Sequence, residues 1–181
     1  GHRWAPGGYA WVFPKGHGYA EIGLGVICTM TERNAQWYLD QFLKESFFKD
    51  RFAEARILEI QGGGVPLAAP LRTQYADHLI LVGDAARHVN PITGGGIHTA
   101  LSSGVIAGAF LADLIGSGKR PTADRLKGYQ DRWLAKLGDK MWKLYREKSA
   151  IFRERDEAER DRRLYSTMAD YFHPESEYKK I

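Results

Sequence analysis

Residues 79–97 read Leu79-Ile80-Leu81-Val82-Gly83-Asp84-Ala85-Ala86-Arg87-His88-Val89-Asn90-Pro91-Ile92-Thr93-Gly94-Gly95-Gly96-Ile97. An apolar strand, Leu79 to Val82, runs into Gly83-Asp84, and Pro91 and three successive glycines precede a long helical pattern. In an open α/β sheet, ligands gather outside the carboxyl ends of strands, which is where this order places Asp84. A carboxylate there can accept hydrogen bonds from the hydroxyls of a ribityl or ribose chain. Gly94, Gly95 and Gly96 carry no Cβ, so the backbone can come close to a flat ring. The helix that follows turns unpaired N–H groups and its positive dipole end toward whatever lies in the loop. Next to an electron-accepting ring this favours the reduced, negatively charged form by about 0.3–1 kcal/mol when exposed and up to roughly 2 when partly buried.

Downstream, from Gly95 to about Ile115, the residues are small and apolar, and the pattern predicts a helix packed closely on a sheet and largely buried. Gly116, Gly118 and Pro121 end it. A second helix is expected from near Thr122 through Trp133, Leu137, Met141, Leu144 and Tyr145. After an Arg/Glu-rich stretch, Leu164, Met168, Tyr171 and Phe172 restore an apolar stripe. Upstream, Tyr9 to Phe13 alternates aromatic and small residues, Lys15-Gly16-His17-Gly18 is a turn, and Tyr19 to Cys28 returns, so residues 9–28 read as a hairpin. Thr29 with Glu32 suggests a capping box for a helix from about Glu32 to Phe48. Ala55 to Ile60 reads as a short strand ending at Gly62-Gly63-Gly64-Val65-Pro66. Leu67 to Tyr75 reads as a loop or edge segment, and Asp77 or His78 starts the strand that enters Gly83.

Of the 181 residues, 44% are apolar and 27% charged, which is ordinary for a globular protein with a real core. The net charge of +4 is too small to indicate nucleic acid as a partner. One cysteine, Cys28, excludes an internal disulfide and fits a reducing cytoplasm. In its apolar strand setting it is expected to be buried and inert. The sequence shows no run of 18 apolar residues expected to span a membrane, no signal peptide and no set of metal ligands. It begins at Gly1 in mid-pattern and reads as a fragment of a larger enzyme.

The Gly83-Asp84-Ala85-Ala86, Pro91 and Gly94-Gly95-Gly96 segment resembles the second flavin-binding motif of the superfamily that includes aromatic hydroxylases and geranylgeranyl reductases. Pro6-Gly7-Gly8-Tyr9-Ala10-Trp11-Val12-Phe13-Pro14 resembles the substrate-side motif of the geranylgeranyl reductases. Tyr9, Trp11 and Phe13 fall on one strand face and form an apolar wall suited to a hydrocarbon chain. The two resemblances cover most of residues 6–118. They imply an FAD enzyme that saturates isoprenoid double bonds, in archaeal membrane ether lipids by preference over chlorophyll precursors.

The implied fold is mixed α+β and α/β. It is the C-terminal half of a glutathione-reductase-like FAD-binding fold of the hydroxylase type, with part of an antiparallel substrate sheet and terminal helices. Residues 1–75 would belong to the substrate sheet, 76–118 to the FAD domain and 119–181 to a helical region. Also by resemblance, Gly83 opens the cofactor motif and Asp84 contacts the ribityl chain. Pro91 lies beside the flavin, Gly94 belongs to its glycine loop, and the backbone of Gly95, Gly96 and Ile97 meets the pyrimidine edge. The Gly-x-Gly-x-x-Gly dinucleotide fingerprint is missing, since position 99 is Thr, so the chain alone is expected to bind flavin poorly and to be inactive.

The implied partners are an isoprenoid lipid and an external electron donor, with NAD(P)H, ferredoxin and reduced deazaflavin all open. No catalytic residue is identified; Tyr9 and His98 are proton-donor candidates by location only. The mixed-sign residues of 119–163 suit a solvated helix face. The alternative is a peripheral cytoplasmic contact with an anionic membrane, with Trp133, Trp142 and Phe152 dipping into the interface. A flavin monooxygenase and a non-catalytic lipid-binding module stand as the alternative functions.

Overall fold

The computed structural model describes residues 3–173, and the chain divides into two compact units at Gly62/Gly63. The fold's own division therefore comes before residue 75, and segments 76–118 and 119–173 fall in one unit.

In the first unit, strands β1 (Ala10–Gly16) and β2 (Tyr19–Leu24) pair antiparallel, with Trp11 opposite Gly23 and Ala10 opposite Leu24. Gly16, His17 and Gly18 make the turn, all three with positive φ, a conformation glycine adopts at little cost. The second strand ends four residues short of the expected Cys28. Residues 28–30 instead form a 3-10 turn, and Cys28 is exposed rather than buried. Helix α1 (Ala35–Glu45) starts at Asn34, whose side chain accepts the Trp37 N–H at 2.9 Å. A cap of this kind contributes about 1 kcal/mol. The expected Thr29–Glu32 box does not form; the neighbouring Thr31 hydroxyl bonds the Tyr38 hydroxyl at 2.7 Å and accepts the Arg33 N–H at 3.0 Å. Phe42 is the buried anchor of α1, edge-on to Trp4 and tilted against Phe48. A short helix, α2 (Lys49–Phe52), follows. Residues 55–60 are not a strand, and Ile57, Leu58 and Ile60 are exposed. A short apolar run cannot form a ladder where no described strand lies beside it.

The second unit opens with a hairpin, β3 (Tyr75–Ala76) and β4 (Leu79–Ile80), paired antiparallel. Asp77 and His78 form its turn rather than the start of a strand, His78 with a φ of 60°. The turn is held by the helix after it: the Asp77 carboxylate accepts the Ala123 N–H at 2.7 Å, and the His78 N–H donates to the Pro121 carbonyl at 2.9 Å. Gly83–Ala86 form a 3-10 turn, and α3 (Ile97–Gly116) follows.

Helix α3 is only half-buried, against the expectation of a largely buried helix. Thr99, Ser103, Ile106, Ala107, Phe110 and Leu114 face inward, while Ile97, Leu101, Val105 and Ile115 are 62–82% exposed. It is also the one described helix long and apolar enough by length and composition to cross a membrane, although His98, Thr99, Ser102, Ser103 and Asp113 interrupt its apolar run. Its packed face is equally that of a core helix.

Helices α4 (Ala123–Trp133) and α5 (Asp139–Phe152) run into each other through a π-helical turn, Leu134–Gly138. Leu126, Tyr129, Trp133, Leu137 and Met141 of this rod close a core with Ile106, Ala107, Phe110 and Leu114 of α3. Gly128 lets the helices approach: a Cβ there would sit 2.8 Å from the Phe110 ring. The Tyr129 hydroxyl donates to the Leu81 carbonyl at 3.1 Å, and burial pushes its pKa up to about 12. Helix α6 (Glu157–Phe172) is capped by Asp156 and buries Leu164 and Met168.

Candidate functional site

The loop from Gly83 to Gly96 gathers most of the residues the sequence singled out. Gly83 is buried with a φ of 56°, and a Cβ on it would lie 3.2 Å from the Ala100 Cβ of α3. Its N–H donates to the Ser103 hydroxyl at 3.2 Å. Glycine here both permits the left-handed turn and lets the loop start rest directly on α3. Asp84, next in the chain, is exposed. Its Oδ1 lies 3.2 Å from the position a Cβ on Gly96 would take. Two residues twelve positions apart thus meet, because the absent side chain leaves room for the carboxylate.

Asn90 shapes the middle of the loop. Its Oδ1 accepts the Ile92 and Thr93 N–H groups at 2.9 and 3.1 Å, and the Asn90 and Gly95 backbones are joined at 2.9 Å. The Thr99 hydroxyl donates to the His88 carbonyl and lies 2.9 Å from the Gly96 carbonyl. Pro91 is buried within the loop, whereas Gly94 has a φ of 73° and open space where its Cβ would be. The Gly95 N–H is taken by the Thr93 hydroxyl at 3.2 Å. No side chain caps α3 at Gly96, so the Gly96 and Ile97 N–H groups remain as donors at its positive end. Ile97 is 82% exposed beside them. An exposed carboxylate, bare glycine backbone and an uncapped 20-residue helix therefore converge. That set suits a ligand with hydroxyls next to an electron-rich flat ring. A cavity under this region, lined by Asn90, His98, Thr99, Leu137, Lys140, Met141 and Leu144, holds only about 10 Å³. That is room for one water and no ligand.

The aromatic row belongs to the first unit. Tyr9 and Trp11 have ring centroids 5.7 Å apart, and Trp11 stacks on Phe13 at 6.1 Å. Trp11 lies over its cross-strand partner: a Cβ on Gly23 would be 2.4 Å from the indole. Phe13 is half-exposed, and burial raises the Tyr9 pKa, so its hydroxyl keeps its proton. The three rings form the continuous apolar face that period-two alternation requires.

Residues 1–65, which contain this row, match a family model described as geranylgeranyl reductase catalytic domain. Digeranylgeranylglycerophospholipid reductase of Methanothrix thermoacetophila is 45% identical over 138 residues, covering 76% of this chain and 34% of that protein. Over these residues the chain is similar to the geranylgeranyl reductases. A second relative, digeranylgeranylglycerophospholipid reductase 2 of Methanopyrus kandleri, is 44% identical over 151 residues, 82% of this chain and 38% of the relative. A geranylgeranyl bacteriochlorophyll reductase-like protein of Thermoplasma acidophilum has a similar structure, with a TM-score of 0.75 and 25% identity. It matches 97% of this chain and 46% of its own. The chain thus spans about a third of the length of these curated family members.

Several of the C-terminal charges are used inside the unit. Arg160 pairs with Glu157 at 3.3 Å, Arg162 with Glu159, and Arg132 with Asp113 at 3.1 Å. The Lys148 ammonium donates to the Leu67 carbonyl at 2.7 Å. Trp133 is fully buried against the His88 ring and cannot enter a membrane interface, which removes it from the expected set. Sequence reading missed this stack because its partners lie 45 positions apart, and neither residue type signals the other.

Proposed function

We propose that the chain is the flavin-loop and substrate-strand part of an FAD-dependent reductase that saturates isoprenoid double bonds in archaeal membrane ether lipids. The observation that carries this is the convergence of Asp84, the Gly94–Gly96 backbone and the uncapped start of α3 on one side of the loop. These residues fit the isoalloxazine and ribityl part of the cofactor. We read the surrounding fold as the C-terminal part of a hydroxylase-type FAD domain.

When bound, FAD supplies the hydride chemistry. Asp84 would accept hydrogen bonds from its ribityl hydroxyls. Gly94 would leave room for the ring, and the unpaired Gly96 and Ile97 N–H groups would favour its reduced anion. Pro91, buried in the loop, fixes its shape more than it touches the ring. Tyr9, Trp11 and Phe13 hold the isoprenoid chain by contact with its methyl and methylene groups. An unconjugated alkene accepts hydride only if a proton reaches the neighbouring carbon. The row is a poor lining for a small polar aromatic, which favours this reading over a monooxygenase. Reducing equivalents would come from an external donor, and exposed Arg146 and Arg153 would suit contact with an anionic membrane surface.

The test is the full-length protein, purified and examined for a flavin absorbance band. It is then reduced and incubated with a geranylgeranyl ether phospholipid, with mass spectrometry following the gain of two hydrogens per alkene. Asp84→Ala should lose flavin. Full-length protein without flavin, or flavin that is reoxidised only by oxygen with hydroxylated product, would refute the proposal.

A further inference from the structure

We infer that His88 and Trp133 are positioning residues for the Gly83–Gly96 loop, their stacked rings fixing it to the helical rod behind it. The inference rests on the proposed flavin site for its functional meaning, but on geometry for its substance. Both residues are fully buried, with ring centroids 4.3 Å apart and planes 15° from parallel.

His88 stands where the loop is tied at both ends. Its N–H donates to the Gly83 carbonyl at 2.9 Å, and its own carbonyl accepts from the Thr99 hydroxyl in the first turn of α3. Any displacement of its ring is transmitted to the residue before Asp84 and to the helix start behind Gly96. Trp133 is equally constrained. It closes α4 at the point where the helix widens into the π-turn, a device found often at functional sites. Gly138, at the end of that turn, has to be bare: a Cβ there would lie 2.8 Å from the Trp133 ring and 2.7 Å from Leu134. The rod is therefore built around the indole, and the indole receives the imidazole.

The pair works through ring packing rather than hydrogen bonds. Neither His88 ring nitrogen nor the Trp133 Nε1 has a hydrogen-bond partner among the described residues. Burial of unpaired polar atoms is costly, so their presence here needs a compensating gain. Flat contact between two aromatic rings supplies one. Burial also holds the His88 pKa down to about 4, which keeps the imidazole neutral for that contact.

The experiment uses the full-length protein, with FAD as the probe, and compares His88→Ala, His88→Phe, Trp133→Ala and Trp133→Phe. Amide exchange of residues 83–96 is measured without cofactor, with β1–β2 as the internal control, and FAD dissociation constants are measured separately. His88→Ala and Trp133→Ala should each speed exchange in the loop and weaken FAD binding by about 2- to 10-fold, the range of one aromatic pair. The double variant should be no worse than either single one. The two Phe variants, which keep a ring in place, should stay near wild type.

Unchanged loop exchange in His88→Ala, additive effects, or Phe variants as impaired as Ala variants would overturn the inference. Faster exchange with unaltered FAD affinity would overturn its functional half. If a Trp133 variant fails to fold, the His88→Ala and His88→Phe pair decides. If the wild-type protein binds no flavin, the proposed function fails, while the exchange measurements still judge the stack.

Discussion

Replacing Gly83 by Ala separates two demands that the loop makes on one position. The φ of 56° is left-handed, which costs an L-residue with a Cβ about 1–2 kcal/mol. The new methyl would also meet the Ala100 Cβ at 3.2 Å in a buried setting, and overpacking of this kind costs roughly 1–3 kcal/mol. Gly83→Ala should therefore destabilise the second unit by about 2–5 kcal/mol. Pairing it with Ala100→Gly removes the clash and leaves the backbone term, at the expense of about 1 kcal/mol of helix propensity. Urea unfolding followed by far-UV circular dichroism measures both, with the slope expected to stay constant so that midpoints report stability. A Gly83→Ala loss below about 0.5 kcal/mol, the scale of an unremarkable surface change, would show that the loop does not need this backbone. Full recovery in the double variant would show that the clash alone matters.

The buried imidazole gives a pH signature. His88 titrates near 4 when folded and near 6.5 when unfolded, so its neutral form stabilises the protein fully above pH 6.5. That stability is lost as pH falls from 6.5 to 4, by about 3 kcal/mol in all, and His88→Phe should flatten this part of the profile. In the first unit, Gly23→Val would drive a side chain into the Trp11 ring, 2.4 Å from the new Cβ. The expected result is a loss of about 1–3 kcal/mol and a changed near-UV aromatic signal, while an unchanged spectrum would deny the cross-strand contact. Asp77→Ala should cost about 1 kcal/mol by uncapping α4, readable as a lower unfolding midpoint.

Much of the loop was legible because its signals are local. Glycines, a proline and an acid at fixed offsets punctuate the chain whatever surrounds it, so the β1–β2 hairpin, the loop after Gly83 and α3 could be read from residue order. What depends on distant neighbours could not. The apolar residues of 55–60 look like a strand in sequence, yet a strand exists only where another lies beside it. The cap at Thr29 lost to Asn34, three residues before the amide it binds, and Cys28 left its apolar run when β2 ended early. Nothing in the composition of Leu134–Gly138 announces a π-turn, and neither His88 nor Trp133 points to the other until the fold brings them together.

The π-turn has a consequence for how this chain tolerates changes of length. Inward residues along the rod fall at 126, 129, 133, 137, 141 and 144, so three successive steps of four occur around the turn. In an uninterrupted α-helix of 3.6 residues per turn, each such step drifts by about 40°, and three would swing the stripe away from α3. The wider turn absorbs that drift and works as a phase corrector between α4 and α5. Deleting one residue there, such as Ala135, would rotate Met141, Leu144 and Ile151 by about 100° and turn them out of the core. The connector before α4, where Ser117 to Arg120 are exposed, has no such phase to keep. Length variation along this chain should therefore be accepted at the connector and refused at the turn.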